Sequence, residues 1–254
     1  MAVSGFDQVA KTHVGCRRKL NEDALLASPD RGLWAIADGM GGHDAGEVAS
    51  AMVVEALSKC ISGSLAQEAL ASVRDVNARL VEMARTGFDG RTIGSTVVGL
   101  VADAHGFTCF WAGDSRAYRV RDGAIARLTR DHSLVQDLVD AGMIDEAAAD
   151  AHPNANVITR AVGASDQLQL ETVTGDVRSG DLFLLASDGL IRLLDDDELL
   201  AGVQGGDLEG DAERLLQMTL DRDAPDNVSL ILVRATDVPV ARAPTVLKHG
   251  LQVQ

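Results

Sequence analysis

The sequence predicts an α+β fold with antiparallel strand pairing, and three observations support this class. Apolar residues recur with helical spacing over residues 45–57 and 65–84. From Gly94 onwards, short apolar runs of strand length follow one another. The dipeptide Asp122-Gly123 joins two of these runs and is a strong local signal of a tight β-hairpin.

The composition is that of a globular chain, and one large domain is the simplest expectation. Of the 254 residues, 46% are hydrophobic, which is enough to bury a substantial core. The net charge of −15 and the isoelectric point of about 4.7 disfavour nucleic acid and anionic membrane surfaces as partners.

Targeting and disulfide signals are not visible in the sequence. No apolar run approaches the roughly 18 residues of a membrane span, and the N-terminus lacks a basic region followed by an apolar one. Cys16, Cys60 and Cys109 form an odd set without C-x-x-C spacing. We therefore expect a soluble, cytoplasmic chain with reduced cysteines and with neither a disulfide framework nor a zinc site.

Two short strands are expected at residues 7–12 and 24–27, on either side of a charged segment. That segment holds the basic triplet Arg17, Arg18 and Lys19, followed by Glu22 and Asp23. One interpretation is a surface loop whose charges pair in water. The alternative is that the cations and the carboxylates belong to one functional site.

Residues 33–46 have the pattern of a strand, a glycine-rich loop and a helix. The strand ends on Asp38, glycines follow at positions 39, 41 and 42, and a helical pattern begins just past His43. A carboxylate at a strand end can bind a metal ion, and glycines allow a ligand to approach the backbone closely. A dinucleotide-binding turn is the alternative, but it requires a third glycine where Asp44 stands.

Two helices are expected after this loop. The first begins at residue 45, with Asp44 as its N-cap. The second covers residues 65–84, and Ser64 with Gln67 forms a capping-box pattern at its start.

Four β runs follow at residues 95–101, 107–111, 117–121 and 124–128, and their short connections indicate an antiparallel meander. The sequence Gly113-Asp114-Ser115-Arg116 lies between the second and third runs, which again places a carboxylate at a strand end. An ordinary Asp/Ser turn is the alternative interpretation.

The segment 131–163 is helical and irregular, so we expect a mobile flap subdomain beside the sheet. Strands at residues 168–173 and 181–186, helices at 196–201 and 211–220 and a strand at 228–233 complete a domain that spans residues 1–235. Residues 236–254 contain two prolines and no periodicity, and are expected to form a flexible tail.

Acidic residues recur at the ends of the predicted strands. Asp38 and Asp188 each follow a strand and precede a glycine, whereas Asp226 stands just before a strand. Because the ends of antiparallel neighbours coincide, the three carboxylates are expected to meet at one edge of a sheet, with Asp23 nearby. Such a set of oxygen ligands suits hard divalent cations such as Mg²⁺ or Mn²⁺.

Several carboxylates at one site repel one another unless cations neutralise them. Two metal ions about 3.5–4 Å apart would do so, lower the pKa of a shared water and clamp both oxygens of an in-line displacement. Arg18 adds a planar, permanently charged fork for the oxygens of a phosphate. Hydrolysis of phosphate esters is therefore the chemistry that these residues favour.

Seven short motifs occur in order along the chain. They are RKLNED (18–23), ADGMGGH (37–43), GST (94–96), GDSR (113–116), ITRAVG (158–163), SDGL (187–190) and DNVS (226–229). Each is weak alone, but together they resemble the metal-dependent serine/threonine protein phosphatases of type 2C, the PPM family, in its bacterial stand-alone form.

The resemblance implies an αββα sandwich, in which two antiparallel sheets are flanked by helices and a binuclear metal centre lies in the cleft between the sheets. By position, Asp38 would bridge two Mn²⁺ or Mg²⁺ ions, and the carbonyl of Gly39 would bind one of them. The remaining ligands would be Asp188 and Asp226 for one ion, and Asp23 with Glu22 for the other, which these two would hold directly or through water.

The resemblance also assigns roles around this centre. Arg18 would bind the substrate phosphate, and Asp114 matches the position that binds a third, weaker cation near the flap. Animal members carry a histidine directly after the Asp-Gly, proposed as the general acid, where this chain has Met40. His43 is the histidine of the bacterial pattern, and we expect it to take that role. The alternatives are a histidine of the flap, such as His132 or His152, and a metal-bound water.

The implied function is hydrolysis of phosphoserine and phosphothreonine in proteins by a metal-activated water, opposing a Ser/Thr kinase. Phosphorylated proteins, including a cognate kinase and its targets, are the expected partners of a monomeric chain. An aspartyl-phosphate mechanism is disfavoured, because Met40 stands where its Asp-x-Asp motif needs a second aspartate. A catalytically weak family member acting as a regulatory binding module is the alternative, but it predicts lost metal ligands, and all of them are present.

Overall fold

Two antiparallel β-sheets pack face to face in the computed structural model, and helices cover the outer face of each sheet. The structure describes residues 5–41, 45–61, 63–87, 92–149 and 152–236. This architecture confirms the predicted α+β class and the αββα sandwich.

The described residues form the following elements. The strands are β1 (Phe6–His13), β2 (Asp23–Ser28), β3 (Leu33–Met40), β4 (Gly94–Ser95), β5 (Val97–Asp103), β6 (Gly106–Ala112), β7 (Arg116–Arg121), β8 (Ala124–Arg127), β9 (Glu171–Gly175), β10 (Leu182–Ala186) and β11 (Val228–Ala235). The helices are α1 (Ala45–Ser58), α2 (Leu65–Gly87), α3 (Leu134–Asp140), α4 (Glu146–Ala149), α5 (Asp188–Ile191), α6 (Asp196–Gly202) and α7 (Leu208–Leu220). None of these helices combines the length and the apolar character needed to cross a bilayer.

The first sheet has the strand order β1-β11-β10-β7-β8, and the second has the order β2-β3-β5-β6-β9 with β4 paired to the end of β3. Apolar side chains fill the space between the sheets, where Phe6 meets Trp34 edge to face with ring centroids 5.5 Å apart. Phe107 meets Phe183 in the same way at 5.1 Å. Burial of such a side chain contributes roughly 1.5–3 kcal/mol, so this layer holds the two sheets in a fixed relation.

The chain leaves the second sheet for the first between β6 and β7, so the predicted continuous meander is wrong. β6 pairs with β5 and β9, whereas β7 pairs with β8 and β10. Gly113 makes the crossing with a φ of +119°, and a Cβ there would lie 2.6 Å from the side chain of Thr96. Only glycine suits both the backbone angle and the close contact. The crossing brings Asp114 to the junction of the two sheets.

The boundaries of β3 and α5 also differ from the prediction. β3 runs two residues past Asp38, because Gly39 and Met40 pair with β4. Asp188 is the first residue of α5 and so does not repeat the strand geometry of Asp38. The two aspartates therefore reach the site from different kinds of element.

Strand β9 begins at Glu171 rather than at residue 168. Leu168 and Leu170 pack against the helical layer of the second sheet instead of joining the strand. Before β9, the segment 131–163 contains α3, α4 and two isolated β-bridges. Its mobility and its status as a subdomain stay predictions, and the expected tail lies outside the described residues from position 237 onwards.

Candidate metal and phosphate site

Asp23 and Asp38 face each other in the β2–β3 pair. The carbonyl of Asp38 accepts hydrogen bonds from the Thr96 N–H at 2.8 Å and from the Ser95 hydroxyl at 3.0 Å. Residues that face each other across a strand pair project to the same side of the sheet. Both carboxyl groups therefore lie on one face of the second sheet, at one end.

Asp188 and Asp226 come from the first sheet. Asp188 follows β10 and Asp226 precedes β11, and these strands are antiparallel neighbours. The N–H of Ser187 donates to the carbonyl of Ser229 at 3.0 Å, which ties the two strand ends together. This pair of aspartates lies together because adjacent antiparallel strands begin and end at the same edge, as the sequence predicts.

The two pairs of aspartates meet across the sheets. The hydroxyl of Ser187 donates to Oδ2 of Asp23 at 3.0 Å, and the carboxyl groups of Asp38 and Asp188 are close enough to share a hydrogen bond. The expectation that the carboxylates share one edge of a single sheet is wrong, because β3 and β10 belong to different sheets. The aspartates line a cleft between the sheets.

Arg192 joins Asp114 to this cleft. Asp114 is 4% exposed, and its Oδ2 accepts a hydrogen bond from Nη2 of Arg192 at 3.1 Å. The same Nη2 lies 3.2 Å from Oδ2 of Asp188. Arg192 was missed from the sequence. Its position four residues after Asp188 is a signal only if Asp188 begins a helix, whereas the sequence pattern places Asp188 at the end of a strand.

Arg18 lies at the exposed side of the cleft. Its Nη2 donates to Oδ2 of Asp226 at 2.7 Å, and its Nη1 lies 3.9 Å from Oε2 of Glu22. The Arg18 side chain is 48% exposed, so a ligand can reach the guanidinium. The structure thus brings Arg18 and Glu22 to the aspartates, as predicted.

Asn227 is a second residue whose role was missed, although it stands within the DNVS motif. Its Nδ2 donates to the carbonyls of Val14 and Leu20, both at 2.9 Å. Its Oδ1 accepts a hydrogen bond from the N–H of Glu22 at 2.8 Å. The buried amide therefore fixes the loop that carries Arg18.

Gly39 packs closely against the start of α1. A Cβ at Gly39 would lie 2.1 Å from the carbonyl oxygen of Gly46 and 2.7 Å from that of Glu22. A Cβ at Gly46 would lie 2.3 Å from Oε1 of Glu22. The absence of a side chain at both glycines thus lets the end of β3, the start of α1 and Glu22 pack closely together beside Asp38.

The carboxyl groups of the cleft have raised pKa values. Burial, with the charge of Asp188, raises the pKa of Asp38 well above its usual range. Burial also raises the pKa of Asp23 to about 6 and that of Asp114 to about 7, and neighbouring aspartates add to both shifts. The pKa of Asp188 is raised by burial as well. The cleft therefore concentrates more negative charge than its arginines compensate.

Two buried carboxylate oxygens in the cleft, Oδ1 of Asp23 and Oδ1 of Asp114, have no hydrogen-bond partner. A buried acceptor of this kind is costly unless a ligand binds it. The donor set around it consists of oxygen atoms, which suits a hard divalent cation. By chemistry, the residues fit the metal ions that the sequence predicts.

The present side-chain positions do not form a finished metal site. Among the residues that the structure describes, no group of three or more His, Cys, Asp or Glu side chains could hold a metal ion as it stands. Three ion pairs hold the carboxylates in this arrangement: Arg18 pairs with Asp226, and Arg192 pairs with both Asp114 and Asp188. Metal binding at the cleft would have to exchange these ion pairs.

Two histidines, His43 and His132, are among the candidates for the general acid. His43 lies outside the described residues, so its role stays a prediction. His132 is buried, its Nδ1 accepts a hydrogen bond from the N–H of Gly113 at 3.1 Å, and its Nε2 lies 3.1 Å from Oε1 of Glu171. Burial lowers the pKa of His132. Because both ring nitrogens are engaged, His132 supports the sheet crossing and is not placed to donate a proton.

Two cavities differ in size and in chemistry. One of about 120 Å³ borders Asp114, Asp188 and Arg192 and is closed on another side by the 131–163 segment. A larger one, of about 1050 Å³, opens near Arg31 and Phe107 at the opposite end of the second sheet. None of the cleft carboxylates lines the larger cavity, so the smaller one belongs to the candidate site.

Comparison with known proteins gives a consistent result. A family model described as protein phosphatase 2C matches residues 15–227, a range that includes every carboxylate of the cleft. The serine/threonine protein phosphatase PstP of Mycobacterium tuberculosis is 33% identical over 242 residues, which are 94% of this chain and 46% of that protein. The chain therefore spans about half the length of this relative.

Solved structures agree in fold. PppA, described as a key regulatory component of the T6SS in Pseudomonas aeruginosa, is 40% identical, with a TM-score of 0.83 over 92% of this chain and 100% of that chain. The catalytic domain of PstP in complex with two manganese ions is 32% identical, with a TM-score of 0.83 over 92% of this chain and 99% of that chain.

Proposed function

This chain belongs to the protein phosphatase 2C family, and on that premise we propose that it hydrolyses phosphoserine and phosphothreonine in proteins. One observation carries the proposal: four aspartates from two sheets meet beside Arg18 in one cleft. Carboxylates with a neighbouring guanidinium suit a phosphate ester held through divalent cations.

The proposed centre holds two ions, Mn²⁺ or Mg²⁺. Asp38 is assigned as their shared ligand, because it faces Asp23 on one side and contacts Asp188 on the other. The further proposed ligands are Asp23 and Glu22 for one ion, Asp188 and Asp226 for the other, and the carbonyl of Gly39. The two manganese ions of the PstP structure support the number of ions. When bound, such ions supply Lewis acidity toward water and toward the oxygens of the phosphate.

Arg18 is assigned to the phosphate of the substrate. Its guanidinium is half exposed and rests on Asp226 at 2.7 Å. A phosphate that replaces this carboxylate would receive two parallel, charge-assisted hydrogen bonds. Asn227 holds the backbone of the loop in place, so the exchange needs only a movement of the Arg18 side chain.

Asp114 is assigned to a third, weaker cation. It is buried and carries one unpartnered oxygen, and it borders the cavity beside the 131–163 segment. In this proposal the segment acts as a flap over that cavity. The flap would set the access of substrate to this part of the cleft.

Release of phosphate from a phosphothreonine peptide tests the proposed reaction. Hydrolysis should require Mn²⁺ or Mg²⁺, and EDTA should abolish it. Asp38→Asn and Asp188→Asn should each lower kcat by roughly a thousandfold, because losing one oxyanion- or phosphate-stabilising element typically costs about 10²–10³ in rate. Arg85→Gln, which removes an exposed charge on α2 paired with Asp166, should leave the rate unchanged. Full activity in EDTA would overturn the binuclear centre.

We further propose that the substrates are proteins phosphorylated by a Ser/Thr kinase, including the kinase itself. The regulatory role ascribed to PppA supports a function of this kind in signalling. Loss of the gene should raise the occupancy of a limited set of phosphothreonine and phosphoserine sites, and the Asp38→Asn variant should fail to restore them. A phosphoproteome that does not change on loss of the gene would contradict this assignment.

A further inference from the structure

One guanidinium group links three separate segments at the candidate site. Nη2 of Arg192 lies 3.1 Å from Oδ2 of Asp114, on the sheet crossing, and 3.2 Å from Oδ2 of Asp188, at the start of α5. Nη1 of the same side chain donates to Oδ1 of Asn156, in the 131–163 segment. The cavity of about 120 Å³ that borders Asp114 is lined by all four residues.

The backbone holds Arg192 in this position. Its N–H donates to the carbonyl of Asp188 at 3.0 Å, which places it one helical turn after that aspartate. A side chain four residues further along a helix lies over the same face, so the guanidinium returns to the carboxylate. The contact with Asp114, by contrast, joins α5 to the sheet crossing between β6 and β7.

We propose that Arg192 is an internal cation that occupies the acidic position at Asp114 and competes there with a divalent metal ion. The inference rests on the proposed metal centre and concerns the weaker third site only. A metal ion would bind Asp114 when the guanidinium leaves it, and the same movement would release Asn156. Metal binding at Asp114 would thereby loosen the attachment of the 131–163 segment.

Electrostatics gives the reason for competition. An arginine keeps its charge at every accessible pH, so it cannot yield to a metal ion by losing a proton. A divalent ion binds carboxylate oxygens at about 2.0–2.6 Å. On either oxygen of Asp114, it would lie close to the guanidinium of Arg192, which contacts Oδ2 of the same carboxylate. Two cations at such separation in a buried site repel strongly, and only one of them can stay.

Calorimetric titration with Mn²⁺ tests the inference on the full chain. The wild type should show tight binding at the core and a separate, weaker event. In Arg192→Gln the weaker event should become at least tenfold tighter. Asp114→Asn should remove that event, and adding Arg192→Gln to Asp114→Asn should not restore it. Asn156→Ala, which leaves the cleft residues intact, should tighten the weaker event by a smaller factor.

A matched variant tests whether the loss of a positive charge anywhere in the cleft, rather than the loss of competition at Asp114, tightens the weaker event. Arg18→Gln removes an equal charge from the same cleft, but its partner is Asp226, so it should change the tight event and leave the weaker one within about threefold. Equal tightening of the weaker event in Arg18→Gln and Arg192→Gln would overturn the inference. So would an unchanged weaker event in a folded Arg192→Gln protein.

Hydrogen exchange provides a second readout that does not depend on affinity. Amides of residues 152–159 should exchange faster in the wild type when Mn²⁺ fills the weaker site, and should already exchange fast in metal-free Arg192→Gln. If neither Mn²⁺ binding nor the Arg192→Gln substitution changes the exchange rate of these amides, the proposed link to Asn156 is contradicted. If the wild type binds no Mn²⁺ at all, the proposed function fails first, and the calorimetry reports that outcome separately.

Discussion

Asp23 and Asp38 stand directly opposite each other in the β2–β3 pair, so two carboxylates share one position of the register on one face of the sheet. Like charges placed in this way destabilise a strand pair. The hydroxyl of Ser187 donates a hydrogen bond to Oδ2 of Asp23, whereas Oδ1 of Asp23 has no hydrogen-bond partner. The protein therefore retains a pair of carboxylates that lowers the stability of the fold. This is expected at a site that binds a ligand.

Asp38→Asn should stabilise the metal-free protein. The change removes one charge of the facing pair, which is worth about 1 kcal/mol. For a chain of this size the melting temperature should rise by about 2–4 °C in EDTA. In saturating Mn²⁺ the variant should melt at a lower temperature than the wild type, because it loses the stabilisation that a bound ion gives the wild type. Thermal melts in both buffers measure this.

Asp75→Asn is the matched control for that experiment. Asp75 is an exposed residue of α2, so its replacement changes the net charge equally and should leave both melting temperatures within about 1 °C. A metal-free Asp38→Asn protein that melts below the wild type would show that the facing carboxylates are not in conflict.

The stability of the metal-free protein should fall as pH rises from about 4 to about 7. Burial raises the pKa of Asp114 from 3.8 to about 7, so across this window the folded state holds a proton that the unfolded state has lost. Stability decreases with pH wherever the folded state binds more protons. The free energy of unfolding of Asp114→Asn, relative to that of the wild type, should therefore increase from pH 4 to pH 7 and then level off. Denaturant unfolding in EDTA measures this difference in stability. A difference that does not vary with pH would be inconsistent with the raised pKa of Asp114.

Asn227→Ala should affect both stability and substrate binding. The buried amide donates two hydrogen bonds and accepts a third, and these hold the loop of Arg18; their loss should cost about 1–3 kcal/mol in the free energy of unfolding. A loosened loop should raise KM for a phosphopeptide more than it lowers kcat. Steady-state kinetics and denaturant unfolding check the two effects.

Arg18→Ala separates the two effects of Asn227. The Arg18 side chain is half exposed, so its removal should raise KM tenfold or more with little loss of stability. If Asn227→Ala loses stability and keeps the KM of the wild type, the amide does not position Arg18.

The sequence predicted which residues lie together at the site better than it predicted the topology that places them there. Asp188 and Asp226 were correctly placed together, because the ends of antiparallel neighbours can be inferred from local patterns. The break between β6 and β7 was missed, because a short connection between two apolar runs looks like a hairpin whether or not the runs pair. The choice of sheet depends on distant partners such as β9 and β10, which no local pattern shows.

Arg192 and Asn227 illustrate a second limit. Both act through contacts far away in sequence: Arg192 with Asp114, and Asn227 with Val14 and Leu20. Residue type alone does not indicate such roles, since most arginines pair on the surface and most asparagines serve turns. Their roles become visible only when the sheets are assembled.

The general acid gives the last prediction, because Met40 cannot donate a proton to the alkoxide that leaves the phosphorus. His43→Ala should slow hydrolysis of a phosphoserine peptide by about 10²-fold or more, since a positioned acid contributes about 10²–10⁴-fold when the leaving group is poor. The same variant should slow p-nitrophenyl phosphate far less, because that leaving group needs little protonation. The ratio of kcat values for the two substrates is the measurement.

His132→Gln is the comparison that gives this ratio its meaning. His132 is buried with both ring nitrogens engaged, so its replacement should disturb the sheet crossing and slow both substrates by the same factor. Equal slowing of both substrates in His43→Ala would instead show that His43 has only a structural role beside the helix that follows it. A selective effect in His132→Gln would show that His132 leaves its partners during turnover and supplies the proton, because only loss of the acid makes the rate depend on the leaving group.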